Sequence, residues 1–269
     1  MNQPTKSPRD DQVPGAVEGT ITEVWRYPVK SMQGELLRSV EVDATGIDGD
    51  RRWAVLDRGT GRVLSARKTP ELLAAAAQLR SDGQPILTLP NGTELIGTGD
   101  ATDDALADWL GVPAHLASEK EAGGGSVDFI VDATDDTSEV VQYTTPPGRF
   151  VDVFPLLLLT TASLREGQRH YPTGDWDRRR FRPNVLIDVD GDGWIEDMWC
   201  NRDVALGGAT VSVERPCDRC TIVTRAQPGL QRDVEIFKAL AKHHASFLGV
   251  WCAVARPGTI SVGDQVMPT

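Results

Sequence analysis

Residues Ile21–Ala66, ITEVWRYPVKSMQGELLRSVEVDATGIDGDRRWAVLDRGTGRVLSA, decide the fold class. Apolar, β-branched and aromatic residues gather in four runs, Ile21–Val29, Leu36–Val42, Trp53–Leu56 and Val63–Ala66, separated by Gly, Asp and Lys-Ser turns. That pattern predicts successive strands. Working toward the C-terminus, Thr69-Pro70-Glu71 predicts a helix over Leu72–Leu79, because proline fits the first helical position. Pro85–Leu89 reads as a strand before the turn Asn91-Gly92. Thr102 is placed to cap a short helix that ends near Gly111.

The second half repeats this style. Residues 151–159 read as a buried strand, followed by a helix from Thr161 or Ser163 to about His170. Val185–Val189 is a strand, and Val204–Leu206 and Ala209–Val213 straddle the hairpin signal Gly207-Gly208. Val234–His243 has the spacing of an amphipathic helix, and Val250–Ala255 and Ile260–Val266 are closing strands joined by Pro257-Gly258. Many short strands and few short helices predict a mainly β protein of β-barrel architecture. The organisation expected is a disordered lead-in at 1–17, a smaller β-barrel-like domain at 18–112, an irregular linker at 113–150 containing the Gly-rich run Ala122–Ser126 and Pro146-Pro147, and a larger β-barrel domain at 151–269.

The net charge of −11 argues against nonspecific binding to nucleic acid or to an anionic membrane. No apolar run reaches the roughly 18 residues of a membrane span, and the polar N-terminus lacks a signal-peptide core, so a cytoplasmic location is expected. Against the acidic background, Arg165, Arg169, Arg178, Arg179, Arg180 and Arg182 fall close together and mark either a solvated surface or a local anion site.

Of the four cysteines, Cys200 and Cys252 sit beside tryptophans in strand-like segments and read as core residues. Cys217-Asp-Arg-Cys220 has a spacing that suggests chemistry. A structural zinc site would need two more ligands, for which His243 and His244 are candidates at a spacing that matches no standard finger. A redox pair would want a strand leading into a helix, whereas Pro216 precedes the pair and Thr221-Ile222-Val223 follows it. A single thiolate ligand to a transition metal is the third reading, with Arg215 and Arg219 favouring the ionised thiol. An iron–sulfur cluster lacks its four clustered cysteines. Asp188–Gly193 resembles the start of a calcium loop, but Trp199 stands where that loop needs glutamate, so an acidic turn is expected.

Taken together, Tyr27-Pro-Val-Lys30-Ser31, Gly46-Ile-Asp-Gly-Asp50-Arg51-Arg-Trp53, Arg180-Phe181-Arg182-Pro183-Asn184, Arg215-Pro-Cys217-Asp-Arg-Cys220 and Pro257-Gly-Thr-Ile-Ser-Val-Gly263-Asp264 resemble the MOSC family. The first two motifs look like its N-terminal β-barrel domain and the others like the MOSC domain itself. By pattern the chain is similar to the mitochondrial amidoxime-reducing component and its bacterial relatives. The resemblance implies a molybdenum cofactor (Mo-molybdopterin) between the domains. Cys220 would be the metal ligand and catalytic centre, with Cys217 beside it. Lys30, Ser31, Arg51, Arg182 and Asn184 would bind the cofactor. Asp152 is the candidate proton donor.

The same resemblance places small hydroxyl residues after that aspartate, where this chain has Val153 and Phe154. It implies an oxidoreductase that reduces small N-hydroxylated compounds. The chain carries no flavin, iron–sulfur or nucleotide-binding signature, so the electrons are expected from a separate ferredoxin- or flavoprotein-like donor. The alternatives are a cofactor carrier or sulfur-transfer protein without reductase activity, and a scaffold that has lost the cofactor.

Overall fold

In the computed structural model, which describes residues 17–123, 126–130, 138, 140–144 and 148–269, the strand Gly19–Arg26 buries Ile21 and Val24. A register shift between Ile21 and Glu23 lets two residues of unlike parity face inward together. The expected lead-in at 1–17, apart from Val17, and parts of the expected linker lie outside the described residues.

Seven strands close into a barrel in the order Val185–Val189, Leu156–Thr160, Phe247–Arg256, Ala209–Asp218, Arg202–Leu206, Gln265–Pro268 and Gly19–Arg26, which pairs back onto Val185–Val189. Leu156–Thr160 and Val185–Val189 run parallel, so the chain must cross over between them. The helix Thr161–His170 supplies that crossover, and the Thr160 hydroxyl caps it by accepting from the Ser163 amide. Inward side chains from every stave, among them Ile21, Leu158, Ile187, Leu206, Val211 and Val250, surround the fully buried Trp199.

The second lobe packs Trp53–Asp57 against Ala114–Ser118, beside a three-stranded sheet of Ala76–Leu79, Pro85–Thr88 and Glu94–Ile96 and the helix Asp100–Leu110. Its core centres on Val29, Met32, Val55, Leu72, Leu87 and Leu106. The lobes interlock. Gly19–Arg26 lies on the N-terminal side in sequence yet closes the barrel, while Gly258–Ser261 leaves the barrel region to pair with Ser39–Asp43. Among the described residues no helix is long and apolar enough to cross a membrane.

The mainly β architecture agrees with expectation, but several elements differ. The helix expected over Leu72–Leu79 is a 3-10 turn, Pro70–Ala74, followed by the strand Ala76–Leu79. Pairing with Pro85–Thr88 overrides the helix propensity of the alanines. Leu36–Val42 breaks at Arg38 into two strands that join different sheets. Val63–Ala66 contributes one isolated bridge, from Val63 to Leu56. Residues 114–118, expected to be irregular, form a strand because alternate side chains Ala114 and Leu116 are buried in the second lobe's core. Thr102 is not the helix cap: the helix starts at Asp100, and the Thr102 hydroxyl donates to the Gly97 carbonyl at 3.1 Å. The strand expected at 151–159 starts only at Leu156, which leaves the residues before it to other work.

Because Ile21 is buried in the stave that closes the barrel, Ile21→Ala should cost about 2–5 kcal/mol in urea unfolding followed by tryptophan fluorescence. Leu36→Ala, on the neighbouring exposed strand, should change stability by less than about 0.5 kcal/mol.

Candidate active site

A cavity of about 380 Å³ opens where the two lobes meet. Lys30, Ser31, Arg51 and Arg67 line it from one lobe, Asp152 and Phe154 from the segment leading into the barrel, and Arg182, Asn184, Cys217 and Cys220 from the barrel side. All eight residues singled out from the sequence therefore line one cavity. Ser31, Arg51 and Arg182 adopt left-handed backbone, with φ of 69°, 47° and 55°. Such conformations cost side-chain-bearing residues of order 1–3 kcal/mol and concentrate at ligand-holding positions.

Asp152 is gripped from two sides. Lys30 Nζ donates to its Oδ1 at 2.6 Å and to the Phe150 carbonyl at 2.8 Å, while Arg67 donates to its Oδ2 at 2.7 Å. Burial alone would raise the Asp152 pKa, but the two cations and their hydrogen bonds outweigh it and hold the carboxyl well below the usual carboxylate range. It is ionised at neutral pH. Ser31 Oγ accepts from the Ala66 amide at 2.9 Å, tying the Lys-Ser turn to the segment that carries Arg67.

The Tyr27 ring supports two arginines, one from each side of the lobe junction. The guanidinium of Arg182 lies 4.3 Å from its centroid and that of Arg51 4.8 Å. The Tyr27 hydroxyl donates to the Pro183 carbonyl at 3.0 Å, and burial pushes its pKa up to about 12. Arg51 is anchored by Asp50 and by Asn184 Oδ1, the latter at 3.0 Å. Asn184 in turn accepts from the Leu157 amide at 3.2 Å and donates to the Trp25 carbonyl at 3.2 Å. Burial lowers the Arg182 pKa to about 10, which leaves it charged at neutral pH.

The two cysteines differ. Cys217 is buried and accepts from Arg219 Nη1 at 3.0 Å; burial nevertheless pushes its thiol up to about 11. Cys220 is half-buried at the entry to the 3-10 turn Thr221–Thr224 and faces the cavity. The flanking arginines expected to serve the thiolate have other partners. Arg219 turns to Cys217 and to the Phe181 carbonyl, and Arg215 stacks over Trp251 and pairs with Asp218.

The arginine run from 165 to 182 disperses. Arg165 and Arg169 hold the acidic turn, Arg178 pairs with Glu23, Arg179 with Asp177, and buried Arg180 donates to four backbone carbonyls. Only Arg180 and Arg182 reach the cavity. In the acidic turn, Asp188 accepts from Thr161 and Asp192 pairs with Arg169, as a structural turn requires. His243 stacks on His170 at 4.0 Å and His244 bonds Asp197 at 2.7 Å, so both histidines are engaged away from the cysteine pair. Among the described residues no group of three or more His, Cys, Asp or Glu could hold a metal by itself.

Sequence reasoning missed Arg67, Arg219's bond to Cys217, and the aromatic wall of Phe154 and Trp251. The Arg67-Lys68 pair directly after an apolar run was the available hint of a cation there. The donor set suits an anion. Lys30, Arg51, Arg67, Arg180, Arg182 and Arg219 outnumber the lining carboxylates Asp152 and Asp218. Arg182 Nη1 and Arg219 Nε are buried with no hydrogen-bond partner among the described residues.

The MOSC N-terminal β-barrel domain family matches residues 18–121, and the MOSC domain family matches residues 146–267. The mouse mitochondrial amidoxime-reducing component 1 is 26% identical over 92% of this chain and 82% of its own length. Human molybdenum cofactor sulfurase is 21% identical over 99% of this chain, which spans 34% of that protein. Among solved structures, the YuaD protein of Bacillus subtilis covers 94% of this chain and 96% of its own, with 10% identity and a TM-score of 0.48.

The Asp152 clamp should appear in the acid stability of the protein. Its folded pKa lies below the unfolded value of about 4, so its contribution is complete above that pH and is lost as pH falls toward the folded pKa. Asp152→Asn should therefore lower Tm at pH 7 and flatten the fall of Tm below about pH 4. Thermal melts from neutral to acid pH measure both; an unaltered acid limb would mean that the clamp does not couple to folding.

Proposed function

The chain belongs to the MOSC family, and from that premise we propose that the cavity binds a molybdenum–pterin cofactor with Cys220 as the thiolate ligand to the metal. The observation that carries the proposal is Arg182, a guanidinium held on the Tyr27 ring at the cavity with Nη1 left unpartnered among the described residues. A terminal phosphate and a dithiolene make the cofactor strongly anionic. Charge-assisted hydrogen bonds to such a group contribute about 1.5–3 kcal/mol each. Lys30, Ser31, Arg51, Arg182 and Asn184 are the residues to hold it.

When bound, the cofactor supplies two-electron oxygen-atom transfer at its metal. We assign the reaction as reduction of a small N-hydroxylated compound to the parent amine or amidine and water, with two electrons and two protons delivered from outside. The mouse and human amidoxime-reducing relatives favour this reading. The electrons come from a separate donor protein of the ferredoxin or flavoprotein kind.

The chain's own residues position and shield. Asp152, fixed as an anion, holds Lys30 and Arg67 in place instead of serving as an acid. Phe154, Phe181 and Trp251 add apolar surface to a cavity otherwise lined by charged and polar groups. Cys217, buried and bonded to Arg219, supports the loop beside Cys220. A second reading, a cofactor carrier or sulfur-transfer protein, is favoured by the match of nearly the whole chain to molybdenum cofactor sulfurase.

Protein made in molybdenum-replete cells should carry molybdenum and pterin in near-equal amounts. Cys220→Ala should lose most of the metal, while Cys217→Ala keeps it. Metal retained by Cys220→Ala and lost by Cys217→Ala would reverse the assignment, and absence of metal and pterin from the wild type would reject cofactor binding. Reduction of benzamidoxime with a chemical reductant should proceed in the loaded wild type; a loaded protein without turnover would favour the carrier.

A further inference from the structure

Two unlike groups of side chains line the cavity. One is cationic, built from Lys30, Arg51, Arg67 and Arg182. The other is apolar, and its principal members are Phe154 and Trp251, whose ring centroids lie 6.0 Å apart at an interplanar angle of 41°. Val153 and Phe154 stand where the family resemblance predicts hydroxyl residues. Val153 is 41% exposed beside the cavity, although burying an isopropyl group would be favourable.

Trp251 is held rigidly. Its backbone pairs with Leu157 on one side and Arg215 on the other, in the middle of the strand Phe247–Arg256. The Arg215 guanidinium lies 4.5 Å from its ring centroid and is itself fixed by Asp218. A half-buried indole braced in this way, with a second aromatic ring tilted toward it, is a preorganised surface for a flat apolar group. It gives little to a very small one.

We infer that Phe154 and Trp251 form the substrate-selecting wall of the site, favouring N-hydroxylated compounds whose non-reacting part is a flat apolar ring. This rests on the reductase reading above. Binding energy taken from the ring is the same in the ground and transition states, so it acts on KM more than on kcat. The preferred class is therefore aromatic.

The test uses the molybdenum-loaded full chain and two neutral probes, benzamidoxime and acetamidoxime, with a chemical reductant. The ratio of their kcat/KM values should fall about tenfold in Trp251→Ala, equivalent to about 1.4 kcal/mol. The loss should come through KM for benzamidoxime and be restored largely by Trp251→Phe. Phe154→Ser should move the ratio in the same direction. A ratio unchanged within about twofold in both variants would overturn the inference. Calorimetric titration of the two probes into the same proteins separates this from the reductase reading. If neither probe is reduced by the wild type, benzamidoxime binding that is weakened about tenfold by Trp251→Ala keeps the wall and rejects the reductase. Equal binding of both probes to wild type and variant overturns the wall.

Discussion

The antiparallel pairing of Gly19–Arg26 with Val185–Val189 is the interaction on which the rest depends. It closes the barrel, and it also fixes where the next residues of the chain emerge. Trp25 donates from its amide to the Asn184 carbonyl at 2.7 Å, and the Asn184 side chain returns a bond to the Trp25 carbonyl. Two residues on, Tyr27 reaches Pro183, and the chain then turns through Lys30 and Ser31 into the cavity. Register in a sheet is set in steps of one residue, and a slip would turn Ile21 and Val24 outward. The same slip would carry Lys30 and Ser31 away from Arg182 and Asn184. Core packing and site geometry are thus specified by one alignment.

Electrostatics then decide what the cavity can hold. A chain of net charge −11 concentrates cations at one internal place, against the cost of taking them out of water. Two kinds of compensation are visible. Lys30 and Arg67 share Asp152, and Arg51 has Asp50. Arg182 rests its guanidinium on the π face of Tyr27 with Nη1 left without a hydrogen bond among the described residues, and a cation–π contact contributes less than a full ion pair. The site is balanced on one side and left with surplus positive charge on the other, so an anion placed there completes it.

Much of this was legible beforehand because short motifs carry their chemistry with them. Lys30-Ser31, Arg51, Arg182, Asn184 and the cysteine pair are far apart in sequence yet share one cavity, as the order of the motifs implied. Local turn chemistry was also readable: Gly207-Gly208 joins Arg202–Leu206 to Ala209–Asp218, and Thr160–Ser163 opens a helix. What was hidden depends on tertiary pairing. Ala76–Leu79 is helical by composition and extended by partnership. Leu36–Val42 looks continuous, but its halves join different sheets. Arg67 belongs to no motif, and its role appears only when Asp152 is brought to it. The exchange of strands between the lobes leaves no trace in hydrophobic pattern, because a stave looks alike whichever barrel it closes.

That exchange shapes how the molecule must be made. On a ribosome the strand Gly19–Arg26 appears long before Val185–Val189, its partner, and the stave Gln265–Pro268 emerges later still. Until then the first strand's edge is unpaired, and Ile21 and Val24 have no core to enter. Contacts of such sequence separation form slowly, and exposed apolar edges are where nascent chains associate wrongly. The strand Gly19–Arg26 therefore cannot settle until Val185–Val189 has been made, and it must be kept from pairing with a neighbour's copy until the barrel that needs it exists.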